Sequence, residues 1–150
     1  MFSYAGCWEM VLDFIGIVFS PLTSLSMDRK SFTMVFVGGM LGACARWGLL
    51  ELLPAAGIWP WQIFLINVVG CGLLGVLVGG SHLKGQWFAG ATTGFCGAFT
   101  TFSAFSVDLA EFIRDERFLI GTSYLLASSS AGLLAYIFAK QSLSGRMVSK

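Results

Sequence analysis

Four long apolar segments constrain this chain more than any other feature of its sequence. They span residues 32–53, 61–80, 87–112 and 118–139. A run of roughly 20 apolar residues is long enough for a helix to cross the hydrocarbon core of a membrane. Because the loops between the segments are short, we predict an all-α membrane protein with four transmembrane helices, in which consecutive helices are antiparallel.

The composition supports a membrane protein and excludes several classes of function. Hydrophobic residues make up 56% of the 150 residues and charged residues 11%, whereas about a quarter of an average globular protein is charged. The net charge of +1 gives no reason to expect a nucleic acid partner. The single histidine, His82, and four widely spaced cysteines provide no metal cluster and no catalytic triad. We therefore do not expect an enzyme.

The sequence predicts a four-helix domain, 32–140, with a separate segment at each end. In the extension 1–31, the apolar run is interrupted by an acidic residue and a proline, and it is too short for a membrane crossing. We expect either that translation begins at Met27 or Met34, which we favour, or that the extension is a peripheral amphipathic segment. Residues 141–150 form a basic tail.

The third segment contains the stretch GFCGAFTTFSAF, residues 94–105, which has three hydroxyls in four residues. Gly94 and Gly97 lower the cost of interrupting the helix. Irregular backbone at membrane depth is tolerated only where protein or a water-filled path covers it. We predict a broken third helix, in which carbonyls between Gly97 and Thr100 lose their helical donors and can bind a cation. The alternative is an unbroken helix whose small residues allow close packing.

Polar side chains inside the other segments are candidates for a site, because such groups are costly in hydrocarbon. Arg46 lies about two-thirds along the first segment, although its charged group could instead reach the interface. Asn67 is the strongly polar residue inside the second segment, and it either joins helices or faces a polar path. Tyr124 and Ser128 share a face of the fourth segment, where Ser128 could bond its own helix.

Taken together, these residues resemble the Fluc (CrcB) family of fluoride channels over roughly residues 34–140. The stretch G-F-C-G-A-F-T-T-F-S-A-F is similar to the family's G-F-C-G-G-x-T-T-F-S-T-F and is highly specific. Supporting matches are G-G-x-x-G-A-x-x-R, which ends at Arg46, N-x-x-G, which begins at Asn67, and the Arg-Phe pair at 117–118. The resemblance implies a passive fluoride-selective channel in the cell membrane, built as an antiparallel dual-topology dimer with two pores.

The same resemblance assigns roles to individual residues. It implies a structural sodium ion at the dimer centre, bound by the backbone carbonyls of Gly97 and Thr100 from both subunits. It implies that Arg46 lies near an aqueous vestibule, where its charge attracts anions. The residues of the implied fluoride path are Asn67, Thr101, Phe102, Ser103, Phe105, Tyr124 and Ser128.

The implied mechanism is passive permeation. Fluoride is small and strongly hydrated, so a narrow path must replace its water with amide, hydroxyl and aromatic ring-edge donors. Phe102 and Phe105 would present the electropositive edges of their rings. Binding must be strong enough for entry and weak enough for exit. An inside-negative membrane potential would then drive fluoride out of the cell.

At two positions the chain departs from the family pattern and lacks a hydroxyl that would line the implied fluoride path. Ile63 stands where the family often has a threonine, and Gly132 stands where a second serine often follows Ser128. Members of the family also occur as gene pairs whose products form heterodimers of fixed, opposite orientation. The partner is therefore either a second copy or a homologous subunit, and the missing hydroxyls favour the hypothesis that this chain is half of such a pair.

The basic residues are distributed unequally between the two sides of the predicted bundle. With four crossings, one side carries Arg29, Lys30, Lys84, Lys140, Arg146 and Lys150, and the other carries Arg114 and Arg117. The positive-inside rule then predicts that both termini lie in the cytoplasm. The charge bias is weaker if translation begins at Met34, because Arg29 and Lys30 are then removed.

A competing interpretation is a small multidrug-type, proton-coupled exporter, which also has four crossings. Such an exporter needs a carboxylate inside the membrane to exchange protons for cationic drugs. Glu51 lies at the end of the first segment, and Asp108 and Glu111 lie near the end of the third. Because none of these acids is expected at mid-membrane, the channel is the preferred hypothesis.

Overall fold

The computed structural model describes residues 28–54 and 57–147, and all regular structure in these ranges is helical. In chain order the elements are α1 (Arg29–Leu52), α2 (Trp61–Gly80), α3 (Gly85–Ala89), a π-helix (Gly90–Cys96), α4 (Gly97–Phe99), α5 (Phe102–Arg114) and α6 (Phe118–Met147). Most of the predicted extension, 1–31, and the last residues of the predicted tail lie outside the described residues.

Three of the described helices are long and apolar enough to cross a membrane, namely α1, α2 and the part of α6 from Phe118–Ser144. α1 and α2 contain 24 and 20 residues, and at about 1.5 Å per residue each matches a hydrocarbon core of about 30 Å. The prediction of an all-helical membrane protein is confirmed for the part of the chain that the structure describes.

The end of α1 is held against the start of α2 by one side chain. The side-chain amide of Gln62 donates from Nε2 to the Leu50 carbonyl oxygen at 3.1 Å and also to the Leu53 carbonyl oxygen. The last carbonyls of a helix have no partner within the helix. Gln62 therefore satisfies the C-terminal end of α1 and fixes the turn between the first two long helices.

The third apolar segment folds as two helical pieces that meet at Thr100 and Thr101. α3, the π-helix and α4 form one continuous helical run, 85–99, with right-handed helical dihedral angles at the junctions. Thr100 (φ −74°, ψ 155°) and Thr101 (φ −139°, ψ 117°) are extended, and α5 then begins at Phe102. We call the extended pair Thr100 and Thr101 the break.

Glycines allow α1 to pack directly on the run 85–99. A Cβ atom on Gly38 would overlap the backbone carbonyl oxygen of Gly90, and one on Gly42 would overlap that of Phe95. The two backbones are therefore in contact without intervening side chains, as is typical of small residues at helix interfaces in membranes. This contact fixes the position of the helical run that leads into the break.

The second and sixth α-helices pack together in the same way. A Cβ atom on Gly75 would overlap the Tyr136 carbonyl oxygen, and one on Gly79 would overlap that of Lys140. Because these contacts extend to the last turn of α2, they stabilise α6 beyond residue 139. The helix accordingly continues past the predicted end of the fourth segment and into the predicted tail.

Candidate functional site

The side chain of Asn67 on α2 bridges the break. Its Nδ2 group donates to the Thr101 carbonyl oxygen at 3.1 Å, and its Oδ1 atom accepts the Thr101 backbone N–H at 2.8 Å. Thr101 is 6% exposed, and buried backbone groups without a partner are costly, most of all inside a membrane. Asn67 therefore satisfies both backbone groups of Thr101.

Thr101 also caps α5, and this cap together with the Asn67 bridge leaves two backbone carbonyls without their helical donors. Thr101 Oγ1 accepts the Ala104 N–H at 3.1 Å and lies 3.2 Å from Ser103 Oγ. In an uninterrupted helix the Ala104 N–H would bond the Thr100 carbonyl, and the Thr101 N–H would bond the Gly97 carbonyl. Both donors are used elsewhere, so the carbonyls of Gly97 and Thr100 lose their helical partners.

Arg46 on α1 reaches the same break. Its Nη1 atom lies 3.4 Å from the Thr100 carbonyl oxygen, which is long for an N–H···O hydrogen bond. α1 contacts the run 85–99 through Gly42, one turn before Arg46, and this packing brings the half-buried guanidinium to the break. The structure thus places Arg46 beside Thr100, and its predicted place in a vestibule stays a prediction.

A groove of about 300 Å³ lies beside the break, between α2, α5 and α6. The residues that line it are Asn67, Cys71, Thr100, Thr101, Phe102, Phe105, Ser128 and Ser129. Five of the seven residues predicted for the fluoride path are among them. The other two lie elsewhere: Ser103 is exposed on α5, and Tyr124 is fully buried. Gly97 does not line the groove and is exposed.

The two phenylalanines of the groove lie on one face of α5. Phe102 and Phe105 are three residues apart, and their ring centroids are 6.1 Å apart with an interplanar angle of 38°. Phe102 is 80% exposed in the single chain, whereas Phe105 is half-buried and packs on the ring of Tyr124 at 5.1 Å. One ring is therefore held by the protein, and the other extends from its surface.

Ser128 contributes a hydroxyl that the protein itself does not use. Its Oγ atom is buried, and no hydrogen-bond partner is found for it within residues 28–54 and 57–147. A serine in a helix often donates to a carbonyl one turn earlier, as Ser130 does to the Leu126 carbonyl oxygen at 2.6 Å. Ser128 differs from this pattern and lines the groove with an unpaired polar atom.

Tyr124 lies behind the groove and forms a hydrogen bond with Asp108, an acidic residue for which the sequence predicts no role. Its hydroxyl donates to Asp108 Oδ2 at 3.0 Å. Asp108 is half-buried near the middle of α5. The spacing could have shown this, since Asp108 lies between Phe105 and Phe112 at helical intervals and so faces α6 with them.

A second cavity, of about 360 Å³, lies where the ends of α1 and α5 approach the starts of α2 and α6. Its polar lining includes Asp108, Glu111, Asp115 and Arg117, so its walls carry more negative than positive charge. Trp59 and Trp61 line the same cavity with ring centroids 4.4 Å apart. Tryptophans of this kind are typical of the membrane interface, which places this cavity at one end of the bundle.

Comparison with known proteins identifies a family over most of the chain. Residues 33–140 match the family described as CrcB-like protein, Camphor Resistance (CrcB). The matched range includes the break, the groove and all of α1 after its first turn.

Several relatives are similar over nearly their whole length. The fluoride-specific ion channel FluC 2 of Rhodococcus jostii is 42% identical over 102 residues, which cover 68% of this chain and 89% of the relative. FluC 2 of Listeria monocytogenes is 38% identical over 122 residues, covering 79% and 89%. FluC of Chlorobium phaeobacteroides is 34% identical over 116 residues, covering 74% and 90%. With a matching family and relatives at this level of identity, the chain belongs to the CrcB-like protein family.

Proposed function

We propose that the protein is a passive, fluoride-selective ion channel of the cell membrane, through which fluoride leaves the cell down its electrochemical gradient. The observation that carries this proposal is the groove, where five of the residues predicted for the path lie together on α2, the break, α5 and α6. The relatives named fluoride-specific ion channels support the same conclusion, and an ion channel is not an enzyme.

The run 85–99 and α5 together form the third of four crossings in this proposal, and the break interrupts that crossing within the membrane. Irregular backbone at this depth requires partners from the protein. Asn67 and the Thr101 hydroxyl provide those partners. Their presence supports an interruption that is stable in lipid.

Fluoride permeates by exchanging its water for donors along the groove. The amide of Asn67 has two N–H groups, and one of them is used by the Thr101 carbonyl, so the other is available to the anion. The unpaired Ser128 hydroxyl supplies a second donor. The ring edges of Phe102 and Phe105 carry partial positive charge and complete the path.

Thr101, Ser103 and Tyr124 act less directly in the proposed path. The Thr101 hydroxyl accepts the N-terminal N–H of α5 and contacts Ser103, so together they hold the start of the helix that carries the phenylalanines. The Tyr124 hydroxyl donates its hydrogen to Asp108, and its ring supports Phe105. The contribution of Tyr124 is therefore to position Phe105 in the path.

A structural sodium ion at the dimer centre fits the backbone carbonyls of Gly97 and Thr100. Carbonyls released from an interrupted helix are suitable ligands for sodium, and both of these have lost their helical donors. Arg46 Nη1 lies 3.4 Å from the Thr100 oxygen, but a carbonyl oxygen has two lone pairs and can accept from both. When bound, the ion would join the breaks of two subunits.

Arg46 has a second part in the proposal, because its positive charge attracts anions toward the break from the aqueous side. A half-buried cation inside a membrane protein is costly unless it serves a site. Its contact with Thr100 at 3.4 Å is long and leaves most of the guanidinium's five N–H groups for other partners.

The functional unit we propose is an antiparallel dimer, with either a second copy or a homologous subunit as partner. Gly97 and Phe102 are both exposed in the single chain, on either side of the break. A symmetric partner that covers them would bring two breaks together and would close the groove. The four-helix body is too small to surround a path on its own.

The test is fluoride efflux from liposomes that contain the purified chain, with a potassium ionophore present and chloride as the comparison anion. We expect fast, voltage-driven fluoride efflux that excludes chloride, from the purified chain alone if its partner is a second copy, and after co-reconstitution with the homologous subunit if that subunit is the partner. Phe102→Ile should slow the efflux about tenfold, since it removes one ring edge from the path. Phe118→Ile is the matched control, because Phe118 lies on α6 outside the groove, and this variant should conduct like the native chain.

Two results would argue against the proposal. Equal fluoride and chloride fluxes would exclude a selective channel. Absence of efflux from well-folded protein would exclude the homodimer, and absence again after co-reconstitution with a homologous subunit would exclude the channel itself.

A further inference from the structure

Cys71 lines the groove but has no part in the path proposed above. It lies on α2 four residues after Asn67, so the two side chains share a face of the helix. Both line the groove. Cys71 is half-buried and is a free thiol. The thiol therefore continues the row of polar groups that the Asn67 amide begins.

The opposite wall explains why the thiol fits there. Gly132 on α6 faces Cys71, and a Cβ atom on Gly132 would lie 3.3 Å from the Cys71 sulfur. α6 consequently presents only backbone at this level, and the sulfur fills the space. Ser128 lies one turn earlier on α6, with its buried Oγ atom unpaired within the described residues. The Cys71 thiol and the Ser128 hydroxyl both line this part of the groove, together with the neighbouring Ser129.

We propose that the Cys71 thiol is a specificity-determining donor in the anion path, at the level where α6 has no side chain. This inference rests on the proposed fluoride channel and adds a residue to it. An S–H group is a weaker donor than a hydroxyl, so Cys71 binds the anion more weakly than a serine there would. A weak donor beside the unpaired Ser128 hydroxyl lets the anion leave this level of the path easily.

The first test compares two replacements in the efflux assay, using the protein in the form that conducts. Cys71→Ala removes the donor without adding bulk, and we expect it to slow fluoride efflux about two- to tenfold, the effect of one lost hydrogen bond. Cys71→Ser provides a stronger donor and should increase selectivity for fluoride over chloride. Cys44→Ala is the control, because Cys44 is exposed on α1 away from the groove, and it should not change either quantity.

The second test uses methyl methanethiosulfonate as a small, neutral probe. The Cys71 thiolate attacks its sulfenyl sulfur, forms a methyl disulfide and releases methanesulfinate. We expect the reaction to block fluoride efflux in the native chain and in Cys44→Ala but not in Cys71→Ser. Mass spectrometry should show that Cys71 is labelled faster than Cys96, which is 3% exposed.

The outcomes separate the inference from the proposed function. If the native chain conducts fluoride and both Cys71 variants behave as it does, the inference is wrong and the channel stands. Block that persists in Cys71→Ser, or labelling of Cys71 slower than that of Cys96, also overturns the inference. A native chain that conducts no fluoride with any partner overturns the proposed function.

Discussion

Asn67 has two roles, one in the structure of the break and one in the proposed path. It accepts from the backbone N–H of Thr101 and donates to the carbonyl of the same residue, so it replaces the partners that a continuous helix would have provided. Only one of its N–H groups remains for an anion. The residue that donates to the proposed path is therefore also the residue that holds the break in place, and its orientation is fixed before any anion arrives.

We expect Asn67→Ala to lower the free energy of unfolding by about 2 to 4 kcal/mol, because it leaves the N–H and the carbonyl of Thr101 unsatisfied in a buried position. The measurement is unfolding in mixed detergent micelles. Ser106→Ala is the control on α5, where the hydroxyl is exposed and bonds only its own helix at Phe102. It should change the free energy by about 0.5 kcal/mol or less. Equal stability of the two variants would contradict the bridging role of Asn67.

At the scale of the elements, the geometry of the proposed path depends on the packing of α1 against the run 85–99. The two are in backbone contact at Gly38 and Gly42, and this contact positions both the run that enters the break and the Arg46 side chain one turn further along α1. Membrane helices gain little from burying apolar groups against one another, so their association depends on such close packing. The glycines of α1 are therefore expected to decide the geometry of the break.

Two glycines of α1 allow this dependence to be tested. Gly42→Ala should destabilise the protein by about 1 to 3 kcal/mol, because the new Cβ atom would overlap the Phe95 carbonyl oxygen and the backbones would have to separate. Gly48→Ala makes the same change on the same helix, where no atom of the described residues lies within 4 Å of the new Cβ. It should be neutral or stabilising by about 1 kcal/mol.

Thermal unfolding of both variants in detergent is the measurement. A loss of stability in Gly48→Ala as large as that in Gly42→Ala would contradict the explanation, because the new Cβ at Gly48 meets no atom of the described residues and the loss could not then be assigned to contact with the run 85–99.

The long helices could be predicted from the sequence because hydropathy over about 20 residues depends on little besides the membrane. The π-helix between Gly90 and Cys96 could not, because its wider turns follow from contact with α1 and leave no pattern in the local sequence. The continuation of α6 beyond residue 139 has a similar cause, since it depends on the last turn of α2. In each case a contact between elements decides a feature that local sequence cannot encode.

Most of the groove was predictable for a different reason. Asn67 and Ser128 carry polar groups inside apolar segments, where such groups are costly without a role, and Phe102 follows from the resemblance of the stretch 94–105 to the family's pattern. Cys71 and Asp108 were missed because a thiol reads as a small apolar residue and a carboxylate near a helix end reads as solvated. Their positions depend on Gly132 and Tyr124, and both of these partners lie on α6, far along the chain.

At the scale of the whole molecule, the open groove and the basic residues concern the same question, namely which partner completes the path. Phe102 is 80% exposed in the single chain, so a partner or lipid must cover it. Two copies of one chain can pair antiparallel only if the chain inserts in both orientations. An unequal distribution of basic residues opposes this, because loops rich in Lys and Arg remain in the cytoplasm.

We expect the chain to insert in one orientation, with both termini in the cytoplasm, because one side carries Arg29, Lys30, Lys84, Lys140, Arg146 and Lys150 and the other carries Arg114 and Arg117. Reporters fused to the C-terminus, one active only in the cytoplasm and one only outside it, measure the orientation. Replacing Lys30, Lys84 and Lys140 by glutamine brings the two sides close to balance and should make both reporters active. If both are already active with the native chain, orientation is not fixed and a second copy can be the antiparallel partner. If the native chain has one orientation, an antiparallel dimer requires a homologous subunit whose basic residues are distributed in the opposite way. Co-expression of that subunit should then be necessary for fluoride efflux.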